Sequence, residues 1–169
     1  NKYKKIIFIL SITIIFFTTA IFYISHNKKA KDIRLSGYLI EIISIINHDE
    51  EKAVKELEKL TKLKHPGHEV LSNLLLSKIY LKRQDFKGAV NHLSKIQLKD
   101  KDLATLGKLK NYFISVAYLG MNDKKNFQEN INLLFSYGDY WSLLAHELRG
   151  HFLFAEGNYE GASKDFIKI

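Results

Sequence analysis

Apolar side chains recur along most of this chain at the three- and four-residue spacing of an α-helix. The segment 85–96 aligns without gaps on the segment 158–169, and in the first of these Ala89, Leu93 and Ile96 lie four and three residues apart. Side chains with this spacing share one face of a helix. No segment alternates apolar and polar residues as a half-buried strand does, so the pattern predicts an all-α fold.

The chain is also self-similar at a fixed period. A second pair of segments, 73–81 and 111–119, resemble each other at an offset of 38 residues, while the first pair has an offset of 73. Both offsets fit a repeat of about 36 residues, which is typical of stacked helical hairpins. The sequence therefore predicts a short α-solenoid of about four hairpins.

Alignment of the four hairpins gives each second helix a set of inward-facing positions and each first helix a midpoint, which is small or compact in all but the first hairpin. Midway along the first helices lie Glu41, Ser77, Ser115 and Gly150. The second helices carry the sets Ala53, Leu57, Leu60; Ala89, Leu93, Ile96; Phe127, Ile131, Leu134; and Ala162, Phe166, Ile169. Small residues permit close approach of two helices, so the bulky Phe127 predicts that the third hairpin splays or shifts its register.

Turn-forming residues mark the predicted helix ends. Within the hairpins they occupy residues 47–49, 83–85, 122–123 and 156–158; between hairpins they occupy residues 65–68, 99–102 and 137–139. Such clusters of Gly, Pro, Asn and Asp end one helix and begin the next.

The first 35 residues have a different character, so we divide the chain into an anchor region, 1–35, and a repeat domain, 36–169. Residues 6–24 carry no charge over 19 positions. A helix of that length reaches about 28 Å, close to the thickness of the bilayer hydrocarbon. The sequence predicts a transmembrane helix that contacts lipid through residues 6–24. The alternatives are a signal peptide cleaved after 18–20 and a buried soluble helix.

The positive charge of the chain belongs mainly to the flanks of this apolar run. Of the net +8, the first 35 residues contribute seven Lys or Arg and one Asp, and the remainder holds 19 basic and 17 acidic side chains. Basic flanks attract anionic headgroups. Because basic residues lie on both sides of the run, they hardly distinguish between the two orientations of the helix in the membrane. The commoner arrangement places a short amino-terminal tail inside and the large domain outside. The near-neutral repeat region argues against nucleic-acid binding.

The repeats resemble tetratricopeptide repeats, which have a small residue, a Tyr and an Ala at fixed positions. The second repeat follows this consensus with Ser77, Tyr80 and Ala89. The other repeats keep part of it, at Ser115 and Tyr118, at Gly150 and Ala162, and at Ala53. With the basic-flanked anchor, and with 140–150 opening the last hairpin, the chain is similar to a bacterial family, the single-pass ancillary subunit of the Sec translocon and its uncharacterised relatives.

That resemblance implies a location and a class of partner. The repeat domain would face the periplasm from the inner membrane and contact translocon subunits, secreted clients or periplasmic chaperones. We expect a membrane-anchored, protein-binding adaptor. The alternative is a structural scaffold of an envelope complex for division or wall synthesis.

The histidines and the absence of Cys argue against catalytic patterns in this chain. His146 and His151 are five residues apart, whereas a helical zinc-protease motif needs histidines four apart on one face. The chain has no Cys, which excludes disulfides and thiolate chemistry. We expect no enzyme activity, cofactor, metal site or small-molecule substrate.

The predicted partner-binding groove is the outward side of the first helices. Its residues are Tyr38, Ile42, Leu71, Leu74, Lys78, Leu81, Tyr112, Val116, Leu119, Glu147, His151 and Phe154. An exposed apolar surface of this size marks a binding site. The alternative is that tight stacking, or further chain beyond Ile169, covers these side chains. Because 166–169 carries inward-facing positions without a helix stop signal, we also expect the native chain to continue past Ile169, and a soluble fragment that ends there to self-associate or to fray in its last helix.

Overall fold

The structure is a computed structural model that describes residues 25–27, 29–63, 65–98 and 104–169. The chain divides into two compact units, one up to Asp49 and one from Glu50 to Ile169. Every regular element in the described residues is a helix, which confirms the predicted all-α class. The predicted division after residue 35 falls within a helix and stays a prediction.

The helix boundaries follow the predicted turns. The first unit contains α1, residues 29–45. The second unit contains α2 (Glu50–Thr61), α3 (Pro66–Lys82), α4 (Phe86–Ser94), α5 (Ala104–Gly120), α6 (Lys124–Ser136), α7 (Asp139–Ala155) and α8 (Tyr159–Phe166). The segments 83–85, 122–123 and 156–158 separate the two helices of the last three pairs, as predicted.

The predicted membrane anchor lies outside the described residues. No helix within the described ranges combines the length and the apolar character that crossing a bilayer requires. The run 6–24 therefore stays a predicted membrane segment, and the signal-peptide alternative stays open with it.

Helices α3, α5 and α7, which alternate along the second unit, form a layer. Each helix packs against the next one in sequence, and α5 also packs against both α3 and α7. Helices α4, α6 and α8 contact only their sequence neighbours among the described elements. The second unit is thus an array of consecutive helices in the predicted order.

Most of the predicted inward positions of the second helices belong to the buried core. Those at most 3% exposed are Ala53, Leu57, Leu60, Ala89, Leu93, Ile96, Phe127, Ile131, Leu134 and Ala162. The last two positions differ, since Phe166 is 39% and Ile169 59% exposed.

Phe127 is accommodated without a change of register. Its ring is fully buried and lies 4.9 Å from the ring of Phe152, centroid to centroid. Ile131 and Leu134, one and two turns further along α6, remain fully buried. The expected register shift of the third hairpin is therefore wrong, because α7 supplies an aromatic partner for the extra volume.

The last three hairpins share one turn. In each, a residue with positive φ ends the first helix, namely Gln84 at 60°, Asn122 at 54° and Gly157 at 77°. The next residue caps the second helix, since a side-chain oxygen of Asp85, Asp123 or Asn158 accepts the N–H three residues on. A left-handed residue after a helix and an Asp or Asn N-cap satisfy backbone groups that helix ends leave unpaired. The recurrence of this turn is structural evidence for the repeat.

Gln84 offers a test of this turn. Its positive φ costs a side-chain-bearing residue free energy that Gly avoids, and Gly157 fills the same position in the last hairpin. We expect Gln84→Gly to raise the free energy of unfolding by about 0.5 to 1 kcal/mol and Gly157→Gln to lower it by about 1 kcal/mol. Urea denaturation measures both. Changes of equal sign in the two variants would show that backbone strain is not the cause.

Candidate protein-binding surfaces

The predicted groove residues on α5 lie between neighbouring helices. Tyr112, Val116 and Leu119 are half-buried and pack against the core cluster of α6 and α7. The opposite side of α5 presents Phe113 and Ile114 to the cluster of α3 and α4. Helix α5 is thus apolar on both sides and packs against neighbouring helices on both sides.

On α3 the predicted groove residues differ in exposure. Leu74 is 5% exposed and belongs to a core cluster with Val70, Leu93 and Ile96. Leu71 is 38% exposed, Lys78 is exposed and Leu81 is half-buried. Leu71 and Lys78 are seven residues apart, so they lie on one face of α3.

The remaining predicted residues belong to α7 and to the first unit. On α7, Glu147 is half-buried, whereas His151 and Phe154 are exposed. In the first unit, Tyr38 is half-buried and Ile42 is buried. The groove as a binding site stays a prediction, and on α3 and α7 its exposed members are Leu71, Lys78, His151 and Phe154.

One pair of predicted residues is brought together by the packing of α5 on α7. Burial raises the pKa of the Tyr112 phenol, and the nearby Glu147 and Tyr140 raise it further. Negative charge beside a phenol disfavours its ionisation. Tyr112 therefore stays neutral in the neighbourhood of the Glu147 carboxylate.

A cleft of about 380 Å³ opens beside the amino end of α5. It is lined by Ile96, Leu98, Gly107, Lys108, Lys110, Asn111 and Tyr137. Its polar groups serve the fold: Lys110 Nζ donates to the carbonyl of Ile96 at 3.0 Å, and Asn111 Nδ2 donates to the Tyr137 hydroxyl at 2.5 Å. Burial lowers the pKa of Lys110. These two hydrogen bonds join α5 to the segment after α4 and to the junction between α6 and α7.

A cluster of charged side chains joins α7 to α8. The carboxylate of Asp165, only 2% exposed as a residue, accepts from Arg149 Nε at 2.7 Å, from Arg149 Nη2 at 2.6 Å and from His146 Nδ1 at 2.9 Å. The ring of Phe135 lies 4.5 Å from the Arg149 guanidinium carbon and 4.8 Å from the His146 ring. This arrangement neutralises a buried carboxylate and ties the last helix to the array.

A polar pair occupies the same positions in the second hairpin. There His92 Nδ1 lies 3.0 Å from Asn73 Oδ1, and both residues are buried. Asn73 and His92 each precede their counterparts, His146 and Asp165, by 73 residues. These pairs were not predicted from the sequence, although the alignment of 85–96 on 158–169 places two polar residues, His92 and Asp165, at one core position. Each pair joins the two helices of its hairpin through a polar contact.

The structure does not assemble a metal site from the histidines. His146 contacts Asp165, whereas His151 is exposed beside the ring of Phe166 at 5.3 Å. Across the described parts of the chain, no three His, Cys, Asp or Glu side chains are placed to hold one ion.

Comparison with known proteins adds no family to these observations. No protein-family model, curated protein or solved structure matches the chain. The function is therefore argued from the arrangement of the helices and from the surfaces they expose.

Proposed function

We propose that this chain is a membrane-tethered, protein-binding adaptor whose repeat domain is a tetratricopeptide-like α-solenoid. The observation that carries the proposal is the turn shared by the last three hairpins, at Gln84, Asn122 and Gly157, together with the layer of α3, α5 and α7. Arrays of this kind present extended surfaces to protein partners.

The proposed site of action is the outer face of a bacterial inner membrane, beside the Sec translocon. The uncharged run 6–24 and its basic flanks support an anchor there. An anchored domain meets secreted chains at a high effective concentration, so that a modest affinity is sufficient. The periplasmic orientation and the translocon follow from the resemblance to the ancillary Sec subunit family.

Site-specific photo-crosslinking in living cells tests the proposed adaptor role. A photoreactive residue at Leu71, on the predicted groove, is compared with the same residue at Leu133, on α6; the two are 38% and 47% exposed. We expect adducts with secreted clients or translocon subunits from Leu71 and few from Leu133. Equal labelling from both sites, or adducts confined to division proteins, would contradict the proposal.

Protease protection tests the proposed orientation. Protease added to cells with an opened outer membrane is expected to digest the chain beyond about Gly37 and to leave the anchor intact. Digestion that begins only after lysis of the inner membrane would place the repeats in the cytoplasm and remove the secretion role.

A further inference from the structure

The cleft beside the amino end of α5 has a lysine on each of its two flanks. Gly107 and Asn111 are four residues apart and lie on the side of α5 that borders the cleft. Lys108 and Lys110 also line the cleft. The helical repeat places them roughly 80° to either side of the line through Gly107 and Asn111. The cleft is therefore flanked by two positive charges.

Neither lysine has an acidic partner. Lys110 Nζ donates to the backbone carbonyl of Ile96 at 3.0 Å, and Lys108 Nζ lies 5.3 Å from the centroid of the Tyr137 ring. Among the described residues, no salt bridge includes either lysine. The half-buried Arg149, by contrast, pairs with Asp165. The two charges of the cleft thus lack a counter-charge from this part of the chain.

Helix α5 and the segment before it add no net negative charge. Residues 104–120 include no Asp or Glu. The segment 99–103 holds two Lys and two Asp, so its net charge is zero. Burial lowers the pKa of Lys110, because its ammonium loses solvation without gaining a balancing charge. A bound anion would supply that charge.

The rest of the lining suits an anion that carries an apolar group. Ile96, Leu98 and the ring of Tyr137 supply apolar walls. The Tyr137 hydroxyl accepts from Asn111 Nδ2 at 2.5 Å, which leaves its own hydrogen available to a ligand. Lys110 uses only one of its three N–H donors on Ile96. The volume of about 380 Å³ lies at the small end of the range for ligand sites.

We propose that this cleft binds a carboxylate that is attached to a small apolar or aromatic group. The carboxylate lies between Lys108 and Lys110 and accepts from the Tyr137 hydroxyl, while the apolar group packs against Leu98. Inorganic phosphate has no group that these walls would contact. The site goes beyond the proposed adaptor role, and it provides binding rather than catalysis.

Lysine labelling of the full chain in lipid nanodiscs, read by mass spectrometry, tests the proposal. The ligand is phenylacetate, and a small amine-reactive reagent then modifies the lysines. We expect saturating phenylacetate to slow the labelling of Lys108 and Lys110 at least about fivefold, because the occupied site excludes the reagent. Lys87, exposed on α4, is the internal control, and its labelling rate is expected to stay unchanged.

Two related compounds and one substitution separate the charge from the apolar group. Acetate has the charge alone and phenylacetamide has the apolar group alone, so both are expected to protect little. Lys108→Met is expected to raise the phenylacetate concentration that half-protects Lys110 at least about fivefold, because one of two charges is removed. Lys87→Met changes the net charge equally and is expected to leave that concentration unchanged. Circular dichroism verifies that both variants are folded.

Gly107→Leu tests the apolar part of the site while both lysines remain. An added Cβ at Gly107 would lie 3.2 Å from Leu98 Cδ1, so a longer side chain there occupies the cleft. Leu forms helix more readily than Gly, so α5 is kept. We expect phenylacetate to lose its protection of Lys108 and Lys110 in this variant.

A second ligand distinguishes two sources of the carboxylate. Phenylacetate presents it as a free organic acid does, whereas the dipeptide acetyl-Phe-Glu-amide presents it as an acidic side chain of a bound protein does. Protection of Lys108 and Lys110 at a lower concentration of the dipeptide assigns the site to a protein ligand. Protection at a lower concentration of phenylacetate assigns it to a free acid.

Three outcomes would overturn the proposal. Equal protection by acetate or by phenylacetamide would mean that the cleft does not recognise a carboxylate with an apolar group. Equal protection of Lys87 would mean that the effect is not specific to the cleft. Protection that appears only after Asp100→Asn and Asp102→Asn would mean that the chain's own carboxylates occupy it. None of these changes the expected Leu71 adducts, so the adaptor role is tested separately.

Discussion

Replacement of Phe127 by alanine is expected to lower the free energy of unfolding by about 3 to 5 kcal/mol. The ring is fully buried and packs at a tilt against the ring of Phe152, and it belongs to the cluster with Ile131, Leu134 and Leu148. Its removal loses apolar burial and leaves a cavity between α6 and α7. Domains of this size have a total stability of about 5 to 15 kcal/mol, so the loss is a large part of it. Chemical denaturation measures the change.

The result is informative because the substitution restores the repeat consensus. Ala53, Ala89 and Ala162 occupy the same position and are at most 1% exposed. If helix spacing were equal in all hairpins, Phe127→Ala would be neutral. We expect the reverse change, Ala89→Phe, to destabilise as well, by about 1 to 3 kcal/mol or more, because the ring has no space there. A gain of stability in Phe127→Ala would show that the third hairpin is strained by Phe127, and a gain in Ala89→Phe would show that the second hairpin has room for a ring.

Replacement of Asp165 by asparagine is expected to detach the last helix at a loss of about 2 to 3 kcal/mol. The buried carboxylate accepts two hydrogen bonds from Arg149 and one from His146. A neutral amide cannot accept all three, and it leaves the guanidinium without its counter-charge. The matched control is Glu160→Gln on the same helix, where the pair with Lys164 is exposed and is worth at most about 0.5 kcal/mol. Hydrogen exchange of the α8 amides measures both.

Acid is expected to release the same helix. The hydrogen bonds and charge of Arg149, assisted by His146, lower the pKa of the Asp165 carboxyl below its usual value. A carboxyl whose pKa is lower in the folded state stabilises it fully above the unfolded value of about 3.9. That contribution is lost as the pH falls from about 4 through the lowered pKa. Exchange of α8 that is independent of pH between 5 and 2, after correction for intrinsic rates, would contradict this assignment.

The hairpin order could be predicted from sequence because local signals and the hydrophobic period agree. The segments 83–85, 122–123 and 156–158 each contain a residue suited to positive φ or to an N-cap, and each became a turn. The inward positions of α2, α4 and α6 follow from spacing alone, since each of these helices buries one stripe.

The surface of the first helices could not be predicted in the same way. Helices α3 and α5 are apolar around most of their circumference, so periodicity does not say which side meets the next hairpin. The structure shows Tyr112, Val116 and Leu119 packed against the following pair. Whether the next hairpin covers an outward-facing residue depends on the distance between the two hairpins. That distance is set by the sizes of the side chains that meet in the packed structure, so the sequence pattern alone does not give it.

The polar pairs escaped prediction for another reason. Asn is usually exposed and His is intermediate, so neither Asn73 nor His92 gives a signal of burial by itself. The burial of each polar residue is explained by a partner 19 residues away: His92 contacts Asn73, and Asp165 contacts His146. A comparison of repeat positions two at a time would have identified them.

The restriction of contacts to near neighbours has a consequence for how this unit folds. Among the described helices of the second unit, none contacts a helix more than two places away. Forming such contacts closes only short loops of chain, which costs little conformational entropy. Domains dominated by local contacts therefore fold fast. Each hairpin can therefore form on the one before it. A chain that emerges amino end first from a ribosome or a membrane channel gains structure one hairpin at a time, without waiting for its last residue.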